Sequence, residues 1–320
     1  MLTALPAPFL DRLAQILPPD RYPACRATFS SPAATAFRLN PLQGEPQETL
    51  AQLHAEGFTL NQLDWPDDAF SVPADQRRAL TDSPACRQGR LYIQTPSSMI
   101  PPLLLAPRPD EWILDLAAAP GGKTIHLAGL MGNQGRISAV EAVRKRFFRL
   151  RTNLETHGVA NTSTYLKDGT RVWRVCPEQF DRVLVDAPCT GEGRFHTDDP
   201  RTFAYWSNHK IRQMVRKQQR LLFSAVHSLR PGGVLVYSTC TFAPEENEGV
   251  IDRLLRRFDG ALSVEPISLP LDNAQAGLSQ WNDRPLHPHL NRARRILPDG
   301  LWEGFFVCRL KKERSTLEKD

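Results

Sequence analysis

From Trp112 onward the chain alternates short apolar runs with longer amphipathic stretches. Residues 112–118 (WILDLAA), 136–141 (RISAVE), 163–168 (STYLKD), 182–188 (RVLVDAP) and 233–240 (GVLVYSTC) read as strands. Several are apolar nearly throughout, the pattern of parallel strands covered on both faces. Between them, residues near 124–131, 142–157, 209–229 and 246–258 carry a helical period. This alternation predicts an open α/β sheet. A late run, LWEGFFVCRL (301–310), reads as one more strand, placed at or near an edge. In such sheets ligands bind beyond the carboxyl ends of the strands, so chemistry is expected just after residues 116, 141, 168, 186 and 238.

Residues 1–92 break the alternation. They are proline-rich and open on a helical stretch, followed by a short β-like piece, TAFRLN (35–40), and a helical AQLHAEGF (51–58). We read them as a small α+β accessory domain, 93–312 as the main domain, and 313–320 as a charged, frayed tail.

Composition narrows the class. The chain has 320 residues, 41% hydrophobic and 23% charged, which is ordinary for a globular protein and enough for one large and one small domain. No run of eighteen apolar residues appears. The first twenty residues lack a basic leader and are interrupted by Asp11 and Asp20, so a signal peptide is not expected and the reading is cytoplasmic. The six cysteines include no Cys-x-x-Cys pair, which argues against zinc; each is, to a first approximation, a small buried hydrophobe. Net charge is +5, but residues 1–92 carry 8 Lys/Arg against 10 Asp/Glu, while the remainder carries 32 against 25. A polyanionic partner on the larger part fits this asymmetry.

Three stretches carry candidate chemistry. The first strand runs into Ala117-Ala118-Ala119-Pro120-Gly121-Gly122-Lys123-Thr124 and then a helix. Paired glycines let a ligand approach the backbone, and the helix start favours an anionic group such as a carboxylate. An ATP-binding P-loop needs a glycine where Ala117 stands, so a nucleoside other than a triphosphate is preferred. Glu141, about 20 residues past this loop, is placed to bond ribose hydroxyls, or simply to favour a helix start. Asp168 ends the third strand and is a candidate for an adenine amino group; its bland alternative is an Asp-Gly turn. The fourth strand gives Asp186-Ala187-Pro188-Cys189-Thr190-Gly191-Glu192-Gly193, and the fifth gives Ser238-Thr239-Cys240-Thr241 ahead of Pro244-Glu245-Glu246-Asn247-Glu248. One cysteine at a strand end is usually structural. Two on adjacent strands facing one crevice point to function.

At AAAPGGKT (117–124), DAPCTGEG (186–193) and STCTFAPEENE (238–248), with YIQTPSSM (92–99) and GFFVCRL (304–310) flanking them, the chain resembles the RNA (cytosine-5)-methyltransferases of the Nop2/Sun group. The likeness covers roughly residues 20–310. It implies a Rossmann-like class I methyltransferase sheet and S-adenosylmethionine as cofactor. It implies that Ala117–Lys123, Glu141, Arg146, Asp168 and Asp186 hold that cofactor, that Cys240 is the nucleophile and that Cys189 assists release. Two departures stand out: Glu141 replaces the more usual Asp, and Asp198-Asp199-Pro200 lacks the basic residue common before Asp-Pro.

The chemistry explains the residues. C5 of cytosine is a poor nucleophile until a thiolate adds at C6, a covalent route suited to cysteine. Asp186 is placed to hydrogen-bond the N3 and amino edge. No metal is called for. The target base must leave its stack, so loops and single strands of rRNA or tRNA are the cheaper substrates. RKRFFRLR (144–151) and the helical segment 209–230, with six Lys/Arg and no acid, supply Arg144, Lys145, Arg212 and Arg216 as RNA contacts, although solvated faces would look the same. Arg292, Arg294 and Arg295 form a smaller cluster, and the chain is expected to act as a monomer. A DNA cytosine-5 methyltransferase would use the Pro-Cys cysteine alone, so Cys240 speaks for RNA. A silent RNA-binding factor or an ATPase are weaker alternatives.

Overall fold

The computed structural model describes residues 4–317. Its larger part, in chain order, is helix α1 (Pro96–Leu105), β1 (Trp112–Asp115), α2 (Gly122–Leu130), β2 (Arg136–Glu141), α3 (Arg144–Thr156), β3 (Thr162–Leu166), β4 (Phe180–Asp186), α4 (Asn208–Ser228), β5 (Leu229–Thr239), α5 (Glu248–Arg257), β6 (Leu262–Glu265), β7 (Ala274–Ala276), β8 (Arg294–Ile296) and β9 (Phe305–Lys312). The strands form one sheet in the order β7-β8-β9-β5-β4-β1-β2-β3, with β6 also paired to β9. The five strands from β1 to β5 run parallel; β9 turns against β5.

Alternation along each strand feeds two cores. Val183, Val185, Leu235 and Tyr237 face α4 and α5, packing on Leu222, Ala225 and Ile251. Leu184 and Val236 point the other way, onto Ile100 of α1 and Leu127 of α2. With both faces covered, the strands have no polar side to display, which is why they read as continuous apolar runs. Helix α3 shows the opposite economy: Phe147, Leu150 and Leu154 make a narrow buried stripe and the rest, Phe148 apart, is polar or charged. Ser207 caps α4 by accepting a hydrogen bond from the Lys210 N–H at 3.1 Å.

The late strand differs from expectation. β9 lies inside the sheet, between β5 and β8, with Phe306, Cys308 and Leu310 buried. An antiparallel strand needs no crossover helix, so its interior position leaves no signature in the spacing of elements. The expected tail differs too. Glu313 N–H donates to the Ala261 carbonyl and Thr316 N–H to Glu178, so the chain is tied down beyond β9; residues 318–320 lie outside the described residues.

The N-terminal part is an antiparallel four-stranded sheet in the order Asn61–Gln62, Ala69–Val72, Thr35–Leu39, Leu91–Ile93, packed on Phe37, Leu53, Phe58 and Leu80. Its last strand runs one residue past the expected boundary. The opening helix, Ala7–Ile16, leaves this sheet entirely: Phe9 packs on Phe195 and Trp206, beyond β4, and Arg12 pairs with Glu245 at 2.6 Å. The sheet itself reaches the main domain through buried Arg38, which donates to the Gly122 carbonyl at 3.3 Å, and Asn40, which donates to the His157 carbonyl at 3.0 Å.

Candidate active site

The strand ends converge on a cavity of about 770 Å³. On one side is the loop after β1. Gly121 adopts φ +114°, open to glycine alone, and starts α2. A Cβ on Gly122 would stand 2.6 Å from the Tyr92 ring, so the second glycine is demanded by the N-terminal sheet pressing on the loop. Arg146 of α3 donates to the Ala119 carbonyl and faces Glu141 at 3.5 Å, linking the ends of β1 and β2. Glu141 is 4% exposed; one of its oxygens accepts from the Val143 N–H at 2.8 Å.

Asp115, the last residue of β1, lines this cavity and was not singled out from the sequence. It is 1% exposed, and Thr124 donates to its Oδ2 at 2.8 Å. Its Oδ1 is buried with no partner. Burial pushes this carboxyl up to about 7, against the pull of the Thr124 hydrogen bond. The signal was available: an acid closing an otherwise apolar strand, WILDL, is costly unless it serves a ligand.

Across the cavity, β4 and β5 present Asp186, Cys189 and Cys240. Asp186 is fixed from two sides, by Lys123 Nζ at 2.7 Å and Ser238 Oγ at 2.8 Å. The sulfurs of Cys189 and Cys240 are 3.4 Å apart. Their contact separates them electrostatically. A hydrogen bond from the Cys189 thiol and the nearby Arg194 guanidinium hold Cys240 below the usual thiol range, while the same pairing and burial push Cys189 well above it. This pairing favours Cys240 over Cys189 for the thiolate form.

The two cysteine loops are locked together behind the sulfurs. Buried Glu246 accepts from the Thr190 N–H at 3.1 Å and from Gln218 at 2.8 Å, and burial pushes it up to about 8. Buried Glu192 accepts from Trp206 at 2.7 Å, Thr241 at 2.9 Å and the Phe242 N–H at 3.0 Å. Gly193 lies so close to the Gly304 carbonyl that no side chain fits there. Both glutamates stand in the sequence motifs, yet only the fold shows that each bonds the opposite loop.

Other expected residues lie apart. Asp168 is exposed, caps its own turn by accepting from the Thr170 N–H at 3.0 Å, and borders a different groove; Arg216 lines that groove as well. Arg144, Lys145 and Arg212 are exposed, with Arg144 lying 5.7 Å from the Phe148 ring.

The profile described as 16S rRNA methyltransferase RsmB/F matches residues 102–311, and that described as the N-terminal domain of 16S rRNA methyltransferase RsmF matches residues 5–96. The chain belongs to the RsmB/F family. Within that family it is 34% identical to the ribosomal RNA small subunit methyltransferase F of Vibrio parahaemolyticus over 98% of its own length and 64% of the relative's. It is 35% identical to the protein of the same name from Aeromonas salmonicida, over 98% and 65%. The chain thus spans somewhat less than two thirds of the length of these relatives. A methyltransferase homologue from Pyrococcus horikoshii superposes with a TM-score of 0.81 at 32% identity, covering 96% of this chain and 100% of that one. The RsmB/F sheet seen here, with its N-terminal domain, is the class I methyltransferase architecture.

Proposed function

We propose that this chain transfers a methyl group from S-adenosylmethionine to C5 of a cytidine in small-subunit ribosomal RNA, through a covalent bond between Cys240 and C6. The observation that carries the proposal is the pair of sulfurs 3.4 Å apart at adjacent strand ends, one favoured as thiolate and one as thiol, in a cavity shared with the glycine loop.

The cavity suits the cofactor. Asp115 Oδ1, buried and without a partner, is the acceptor an ammonium group would satisfy. Ala117–Ala119, Pro120, Gly122 and Lys123 line it with mostly small side chains, and Arg146 closes that end. Glu141 and, across the strand ends, Asp168 are the residues proposed for the ribose and adenine. When bound, S-adenosylmethionine supplies an electrophilic methyl group. The Cys240 thiolate adds to C6, and the electron pair of the 5,6 double bond moves to C5, making it nucleophilic. Asp186, already held by Lys123 and Ser238, is oriented to hydrogen-bond the base edge and stabilise the charge that develops. Once C5 carries the methyl group, a base takes its remaining proton, that C–H electron pair restores the 5,6 double bond, and the C6–S bond breaks with its pair returning to sulfur as the thiolate. Cys189, in contact with the leaving sulfur, assists that release.

One chain supplies every residue named, so we read the active species as a monomer, working in the cytoplasm where ribosomal RNA is found. Residues 1–92 and the exposed Arg144, Lys145, Arg212 and Arg216 are proposed for RNA recognition.

The test separates the two cysteines. Cys189→Ala is expected to accumulate an RNA–protein complex stable to denaturing electrophoresis. Cys240→Ala and the double variant are expected to form none. Trapping by Cys240→Ala instead would make Cys189 the nucleophile and overturn the assignment.

A further inference from the structure

A second cavity, of about 510 Å³, opens on the outer flank of α4, against the 3₁₀ turn Gly169–Arg174. Arg171, Arg174, Arg216, Arg220 and Arg257 line it, and all five are exposed. Among the described residues some exposed arginines, such as Arg201, Arg230 and Arg256, pair with a carboxylate, and others, such as Arg136 and Arg212, stand singly; here five are gathered in one groove. Among the described residues none of the five groove arginines makes an ion pair or donates a side-chain hydrogen bond. Among the described residues the only carboxylate lining the groove is Asp168, and its Oδ1 is occupied by the Thr170 N–H. Gathering unpaired like charges costs free energy unless an anion joins them.

Aromatic rings are interleaved with the guanidiniums. Trp173 packs edge-on against Phe223 at 5.4 Å, Arg174 lies 5.6 Å from the Trp173 ring, and Arg257 lies 4.5 Å from Phe223. Arg216, Arg220 and Phe223 recur at helical spacing, on the face of α4 opposite the buried Leu221, Leu222 and Ala225. The arginine fork matches phosphate oxygens, and a flat ring accepts a base whatever its identity. Alternating phosphates and planar bases suit this groove; an acidic peptide would supply the charges but not the planes. The groove begins at Asp168, just past the carboxyl end of β3, on the same edge of the sheet as the cysteines.

We propose that this groove holds a single-stranded stretch of the substrate RNA beside the target nucleotide, with phosphates on the arginines and a base on Trp173. The proposal rests on the RNA-methylation reading and adds where the substrate strand runs.

Fluorescence anisotropy with a short single-stranded RNA of mixed sequence, across a salt series, tests it. Arg171→Glu/Arg220→Glu should weaken binding at least tenfold and flatten the log–log salt slope by about 1.4, the effect of two lost phosphate contacts. The control Arg108→Glu/Arg136→Glu changes net charge equally at exposed sites outside the groove and outside residues 1–92, and should do much less. Trp173→Leu keeps an apolar side chain against Phe223 and should weaken RNA by about tenfold while sparing heparin, which has no bases to stack. Equal losses in the groove and control variants, or a Trp173→Leu effect absent from RNA or shared with heparin, overturn the proposal. Groove-dependent RNA binding without any Cys240 adduct would instead overturn the catalytic reading and leave the groove standing. Adduct formation with groove variants binding like the wild type would overturn the groove alone.

Discussion

Asp115 is a carboxyl the fold keeps at a cost, and replacing it by asparagine should show how large that cost is. Burial raises it from an ordinary 3.8 to about 7, so the native state holds a proton through a range of pH where the unfolded chain has released it. The native state binds the extra proton between those two values, so stability falls as pH rises from about 4 to 7 and is level above that. At 1.36 kcal/mol per unit, the full penalty is about 4 kcal/mol, of which rather more than half accrues between pH 5 and pH 8. Asparagine keeps an oxygen for Thr124 and cannot ionise. Urea denaturation of wild type and Asp115→Asn at pH 5 and pH 8 should therefore show the difference between them growing by that amount in favour of the variant. The constant cost of the new amide cancels in this comparison. The gain is expected to come with weaker S-adenosylmethionine binding, because an ammonium group loses its anionic partner; calorimetry in the wild type should also show proton release on binding below pH 7. Parallel pH profiles for the two proteins would refute the reasoning, since the carboxyl would then be ionised and solvated throughout.

Two further perturbations probe neighbouring parts of the site. Gly122→Ala places a Cβ 2.6 Å from the Tyr92 ring, which is itself held against His157, so it should cost about 1–3 kcal/mol by overpacking and lower cofactor affinity, with Tyr92→Val restoring much of both; additive effects of the two changes would show that the clash is not the cause. Arg194→Gln removes a charge that, with the Cys189 hydrogen bond, keeps Cys240 low; the midpoint of Cys240 alkylation against pH should rise, and an unmoved midpoint would take Arg194 out of the reaction.

What could be seen in the sequence was whatever depends on neighbours in the chain. The runs at 112–118 and 182–188 read as buried strands because their apolar residues fall on both faces, and β1 and β4 lie there. Gly121 and Gly122 after a strand marked a ligand-facing loop, and Pro-Cys and Thr-Cys at two strand ends marked a shared crevice. Other features depend on residues far apart in the chain. β9 sits beside β5 because antiparallel pairing needs no connecting helix, so no spacing announced it. The Ala7–Ile16 helix packs against Phe195 and Trp206, about two hundred positions away, and no local pattern names such a partner. The state of Asp115 follows from desolvation, and that of Cys240 from the arrival of Cys189 and Arg194 on other segments. The five groove arginines span residues 171 to 257, and only the fold brings Arg171, Arg174 and Arg257 beside Arg216 and Arg220 of α4. Periodicity reports which side of an element meets water. Ionisation, hydrogen-bond partners and charge clusters are set by what folds against it.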